Sequence, residues 1–250
     1  MSTANLIRAE RIKLLSTRAP WWCAAIAVVL AIGYTALFFG LVPLEGQATV
    51  ASTQTASNLG RTVVLVLAIL AAATEFNWGT MKLTFQAVPS RVPALVAKGV
   101  VVGVFSGLIG LLVGFCSWGI AYLVKPAADL GLHSGADWRA VAGQGLTFLL
   151  TGLLGVGLGL LFRSPAFALG FALAWTQVIE GLVILIPRVG DDIYQWMPFF
   201  AANQFSGPDL TVSMLKLDPP LGPWGYLAYF GGICVIVYAI ALMITHRRDA

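Results

Sequence analysis

The sequence predicts an all-α membrane protein with six transmembrane helices. Composition is the first reason: of 250 residues, 58% are hydrophobic and 10% charged, with a mean hydropathy of +0.86. Soluble domains are about 45–50% apolar and about 25% charged. Length is the second: six apolar runs reach the roughly 20 residues that a spanning helix needs. The third is placement, since the basic residues sit at the ends of these runs, where they orient a membrane protein. A net charge of +4 so distributed is not a nucleic-acid stripe, and no nucleic acid is expected as a partner.

The elements follow in chain order. Residues 1–20 carry Arg8, Arg11, Lys13 and Arg18 and suit an interfacial helix against an anionic leaflet. Arg11 and Arg18 share a face with Ile7 and Leu14, so basic and apolar residues do not separate cleanly. The run at 21–42 is the first span and is too long for a signal-peptide core of about 7–15 residues. The second span is 59–76, followed by a polar segment at 77–92. The third is 94–124, with Gly99, Gly103 and Gly107 four apart, then Gly110 and Gly114. The fourth is 141–162, with Gly152, Gly155, Gly157 and Gly159. Glycines at this spacing let two helix backbones approach closely. A tight turn at Arg163-Ser164-Pro165 leads to the fifth span, 166–187. The segment 188–223 is long and apolar enough to dip back toward the bilayer, and 224–245 is the sixth span.

Lysine and arginine asymmetry sets the orientation. With the N-terminus inside, ten basic residues fall on inner segments, Lys98 among them, and five on outer ones, Arg61 and Arg139 among the five. Both termini are therefore expected in the cytoplasm of a bacterial-type plasma membrane. Trp21, Trp22, Trp138, Trp196 and Trp224 lie near the expected boundaries, as amphipathic rings prefer.

Chemistry of the protein's own is not expected. No lysine is followed by serine or threonine, so there is no phosphate-binding P-loop. His133 and His246 lie at or beyond span ends, which disfavours a buried Ser–His dyad or an H-E-x-x-H zinc site. The three cysteines lie inside apolar runs and read as small core residues. No metal and no cofactor are expected. Glu180 is the acidic residue placed well inside a span, with Thr176 and Gln177 as nearby polar partners. It reads either as part of a substrate route or as a packed carboxyl that bonds Gln177 or a neighbouring helix.

The chain resembles the permease subunit of type-2 ATP-binding-cassette (ABC-2) exporters over essentially its whole length. The matching residues are the basic N-terminal segment Glu10-Arg11-Ile12-Lys13-Leu14; then Glu75 at the end of the second span, Gly79-Thr80 opening a short helix, and Pro89-Ser90-Arg91 closing it. The Arg163 turn and Tyr194-Gln195-Trp196-Met197-Pro198-Phe199 before the last span also fit. The resemblance implies two permease subunits, identical or different, each docked on a separate ATP-binding-cassette ATPase subunit. It makes 77–92 a coupling helix, with Glu75, Gly79, Thr80, Leu83, Phe85, Pro89, Arg91 and Arg163 facing the ATPase. It makes 188–223 a pair of re-entrant outer helices. Thr176, Gln177, Glu180, Trp196, Pro198 and Phe199 would then line the pathway or its gate. The expected cargo is amphiphilic or lipophilic: a drug, lipid or peptide. The alternatives are a non-transporting anchor or signalling subunit of such a complex, and an unrelated polytopic carrier.

Overall fold

The computed structural model describes residues 3–42, 48–81, 86, 91–207, 212 and 217–247. They form helices in the order α1 (Thr3–Ser16), α2 (Ala19–Leu41), α3 (Ser57–Asn77), α4 (Arg91–Val124), α5 (Gly135–Ala142), α6 (Gln144–Phe162), α7 (Pro165–Ala174), α8 (Glu180–Val183), α9 (Gly190–Tyr194), α10 (Pro198–Ser206) and α11 (Pro223–Arg247). A short 3-10 turn, Ala51–Gln54, precedes α3, and a π-helical stretch, Trp175–Ile179, joins α7 to α8. Six segments are long and apolar enough to cross a membrane: Ala19–Leu41, Ala51–Asn77, Val92–Val124, Gly135–Phe162, Pro165–Val183 and Pro223–Arg247. The protein is thus a helical, multi-pass membrane protein.

Two spans differ from the sequence expectation. The fourth is two helices, α5 and α6, meeting at Gly143. Ser134 and Asp137 form a reciprocal capping box that starts α5 well before residue 141. The fifth ends at Val183, not 187, because residues 184–189 turn back toward α9.

Helix α6 is the centre of the bundle and packs against α3, α4 and α11. Its glycines explain how one helix serves three neighbours. A Cβ at Gly155 would stand 2.6 Å from Ala68 Cβ, and one at Gly159 would stand 2.7 Å from the Ile69 carbonyl oxygen, both on α3. At Gly157 the nearest atom is the Tyr238 Cα of α11, at 3.2 Å. Toward α4, glycines of both helices make the close approach: a Cβ at Gly152 would stand 3.4 Å from the Gly103 Cα, and one at Gly110 would meet the Gln144 carbonyl oxygen at 2.6 Å. The glycine runs on these two spans therefore mark backbone-to-backbone contact. Gly159→Ala is expected to destabilise the bundle by about 1–3 kcal/mol through overpacking against backbone. Gly170, which has open space around it, should tolerate alanine. Thermal unfolding of the two variants in detergent checks the difference.

Helix α1 and the C-terminal half of α11 lie at one end of the bundle. The Tyr238 hydroxyl of α11 donates to the Leu95 carbonyl of α4 at 2.7 Å, and α1 packs on α4 over the same turns.

Candidate functional site

The polar side chains gather at two places. The first is at the α1 end of the bundle, where α3 leads into the segment 78–90 and α4 leads out of it. Lys98 of α4, only 5% exposed at its side chain, places its ammonium 2.7 Å from Glu10 Oε2 of α1 and 2.7 Å from Glu75 Oε1 of α3. Lys13 adds a bond of 2.9 Å to Glu10 and a longer contact of 3.6 Å to Glu75. Two acids and two bases from three helices therefore form one cluster. Burial pushes the Glu10 carboxyl up, but Lys98 and then Lys13 outweigh it, so it lies below the ordinary carboxylate range. Burial likewise pulls the Lys13 ammonium down, and Glu10 and Glu75 raise it above its usual value.

The sign of the pH effect follows. A carboxyl held low in the folded state contributes stability above its unfolded value of 4.5 and loses that contribution as pH falls through the lowered value. Thermal stability should be flat near neutrality and decline below pH 4.5. Glu10→Gln should be less stable at neutral pH and show a shallower acid decline.

Glu75 therefore turns inward and holds the base of the segment. Gly79 sits at φ +68 with open space around its Cα. That left-handed turn redirects the chain after α3, and the Thr80 hydroxyl donates back to the Glu75 carbonyl at 3.4 Å. Met81 then packs into the core with Leu14, Ala72 and Leu95. Leu83, Phe85 and Pro89 lie outside the described residues, as does the side chain of Arg91. Gly79→Ala should cost about 1–2 kcal/mol in thermal unfolding, since an L side chain resists this conformation. Gly79→Asn should lose less, because asparagine tolerates it better. Equal stability of all three would rule out the turn.

Arg163 joins this end. It closes α6 in a left-handed conformation, φ 55, and Ser164 and Pro165 open α7 as N-cap and first helical residue. Its guanidinium lies 5.0 Å from the centre of the Phe76 ring, so the turn and the end of α3 form one surface.

The second place surrounds α10. Its three phenylalanines meet aromatic rings of α11: Phe199 with Phe230 at 6.0 Å, Phe200 with Tyr226 at 5.8 Å and Phe205 with Trp224 at 5.1 Å. Rising numbers pair with falling ones, so α10 runs antiparallel to α11, with its N-terminus about two turns into the span. Glu180 receives that N-terminus. Its Oε1 accepts the Phe199 N–H at 3.1 Å and the Trp175 indole N–H at 3.1 Å. At the other end, Arg139 Nε donates to the Phe205 carbonyl at 2.9 Å and Gln144 donates to the Ser206 hydroxyl at 2.9 Å. An acid at the helix start and a base at its end both match the helix dipole. Buried Arg61 of α3 donates to Asn203 in the middle of α10.

These contacts revise the sequence reading of Glu180. Its carboxylate bonds a neighbouring helix, α10, and not Thr176 or Gln177. It is 6% exposed within its own chain. The π-helical stretch inserts a residue, which brings Trp175, five positions back, beneath the carboxylate. Gln177 instead donates to Thr62 of α3 at 3.1 Å and to Thr176 at 3.4 Å. Trp196 accepts a bond from the Tyr229 hydroxyl at its carbonyl, and Pro198 is the first residue of α10. Beside this clamp lies an apolar cavity of about 180 Å³, lined by Leu65, Phe171, Trp175, Thr176, Pro198 and Phe199 among others.

Sequence reasoning missed Lys98, Arg61 and Arg139, which it counted only as orienting charges. The available signal was position: Lys98 and Arg61 fell inside the expected spans, where an ionisable residue needs a partner. Among the described residues, no three His, Cys, Asp or Glu stand together as metal ligands. No protein-family model matches the chain, and no curated protein does either.

Proposed function

We propose that this chain is the membrane-spanning subunit of an ATP-driven exporter, a permease of the ABC-2 kind driven by a separate ATPase chain. The observation that carries the reading is the charge cluster at the base of 78–90. Glu75 enters that segment and Lys98 leaves it, and Glu10 and Lys13 tie both to α1. A push on the segment would move three helices as one. That is the property a coupling helix needs, and the adjacent Arg163–Phe76 contact supplies a second point for the ATPase to press. In this reading both termini and the coupling end face the cytoplasm of a bacterial-type plasma membrane. Helices α9 and α10 are re-entrant outer helices, held by Glu180 and Arg139 as a rigid part of the outer gate.

The pathway is completed by a second permease, either another copy or a relative. The first, fifth and sixth spans are only 22%, 17% and 22% buried in the single chain, against 50–61% for the other three. A partner therefore has uncovered helices to use, and the reading places it at the first and fifth. The apolar cavity beside Trp175 and Phe199 favours an amphiphilic or lipophilic cargo.

The test is co-reconstitution with its ATPase in liposomes loaded with fluorescent amphiphiles. ATP-dependent movement that requires both chains is expected. Movement by this chain alone, driven by an ion gradient, would contradict the reading. An assembled complex that hydrolyses ATP without moving any cargo would point to an anchoring subunit.

A further inference from the structure

A groove runs between α1 and α4 on the lipid-facing side of the bundle, with a volume of about 220 Å³. Its walls are Ile7, Leu14 and Leu15 of α1 and Val100, Val104 and Leu108 of α4, and Arg11 lies in the same lining. Val100, Val104 and Leu108 are 46%, 51% and 54% exposed, so the groove opens outward. Trp21 borders it: its indole donates to the Leu15 carbonyl at 3.1 Å, and its ring stands edge-on to Phe105 at 6.2 Å.

The charges around the groove divide into two groups. Lys13 and Lys98 are engaged by Glu10 and Glu75. Arg8, Arg11 and Arg18 are exposed and form no ion pair among the described residues. A cationic rim over an apolar trough matches one kind of molecule: an acyl chain joined to an anionic headgroup. The mixed face of α1, with Ile7 and Leu14 beside Arg11, makes a poor amphipathic surface but a suitable wall for such a ligand.

We infer that this groove binds one anionic phospholipid of the leaflet on the α1 side, an acyl chain lying along Val100, Val104 and Leu108 and the phosphate at Arg11. The site rests on the membrane-protein fold and not on the transport reading. A lipid held there bridges α1 and α4 next to the charge cluster, which makes it a structural partner of that end of the bundle.

The experiment is native mass spectrometry of the delipidated full-length protein in detergent. It is offered dioleoyl phosphatidylglycerol, dioleoyl phosphatidylcholine, or the chain-less glycerophosphoglycerol headgroup. Phosphatidylglycerol should be retained in preference to phosphatidylcholine. Arg11→Ala should weaken phosphatidylglycerol binding about fivefold, the effect of one arginine at a membrane surface, and leave phosphatidylcholine unchanged. Val104→Trp should fill the groove and reduce retention of both lipids, with no change in thermal midpoint because the side chain points outward. Leu123→Trp, equally outward at the far end of α4, should retain lipid as the wild type does. Equal retention of the two lipids by the wild type would overturn the proposal. So would wild-type retention by Val104→Trp, or displacement of phosphatidylglycerol by the chain-less headgroup at equal concentration.

Discussion

Replacing Lys98 by methionine should be the most damaging single change in the protein. The ammonium sits between two carboxylates whose side chains are 7% and 13% exposed, and it is itself nearly covered. Removing it leaves Glu10 and Glu75 facing each other with only the half-exposed Lys13 to balance them. Breaking a buried ion pair from one side typically costs about 3–5 kcal/mol, because the remaining charge is desolvated without compensation. The triple variant Lys98→Met, Glu10→Gln, Glu75→Gln should recover most of that loss, since the one charge left in the cluster, on Lys13, is half-exposed. Thermal or denaturant unfolding in detergent measures both. If Lys98→Met unfolds within about 0.5 kcal/mol of wild type, the range of an ordinary surface change, the cluster is not a structural unit. The triple variant also separates stability from function: in the proposed mechanism it folds yet transmits ATPase movement less efficiently, because neutral side chains hold the three helices less tightly.

Glu180 gives the second large effect. Glu180→Leu deprives the buried Phe199 N–H and the Trp175 indole N–H of their acceptor. An orphaned buried donor costs about 1–3 kcal/mol. Glu180→Gln keeps an acceptor oxygen and so should lose less. The expected order of stability is wild type, then Gln, then Leu. Hydrogen exchange localises it: amides of 198–206 should exchange at least tenfold faster in the Leu variant, the factor for about 1.4 kcal/mol. Unchanged protection there would show that Glu180 does not hold α10. Reduced transport by the Gln variant with α10 still protected would restore a direct role for the charge.

The spans were readable because their signal is composition over about 20 residues, which needs no knowledge of neighbours. Glycine spacing on the third and fourth spans likewise pointed to close helix contact, but which glycine meets which helix depends on rotation about α6. The misreadings share a cause. Glu180 was paired with Thr176 and Gln177 by assuming α-helical spacing, and the π-helical stretch changes which residue lies beneath it. Lys98 was counted as an orienting charge, although its partners lie 88 and 23 positions away in the chain. Arg139 and Arg61 were counted the same way, and both hold α10 from other helices. Tertiary pairing of this kind leaves no local pattern. Glu75 lies at the end of the second span as the sequence suggests, but its carboxylate faces the bundle, and the outward residues on this turn are Asn77, Trp78 and Thr80, with Trp78 76% exposed.

The proposed contact between the segment after α3 and an ATPase can be captured covalently. A photo-crosslinking residue in place of Trp78 or of exposed Gln86, activated in membranes of the source cell, tests it directly. A covalent adduct is expected with a chain that carries a phosphate-binding P-loop, identified by mass spectrometry, and no such adduct from a crosslinker at Trp138, at the opposite end of the bundle. Absence of any ATPase adduct from both positions, in membranes where the protein is folded and transport is active, would contradict it.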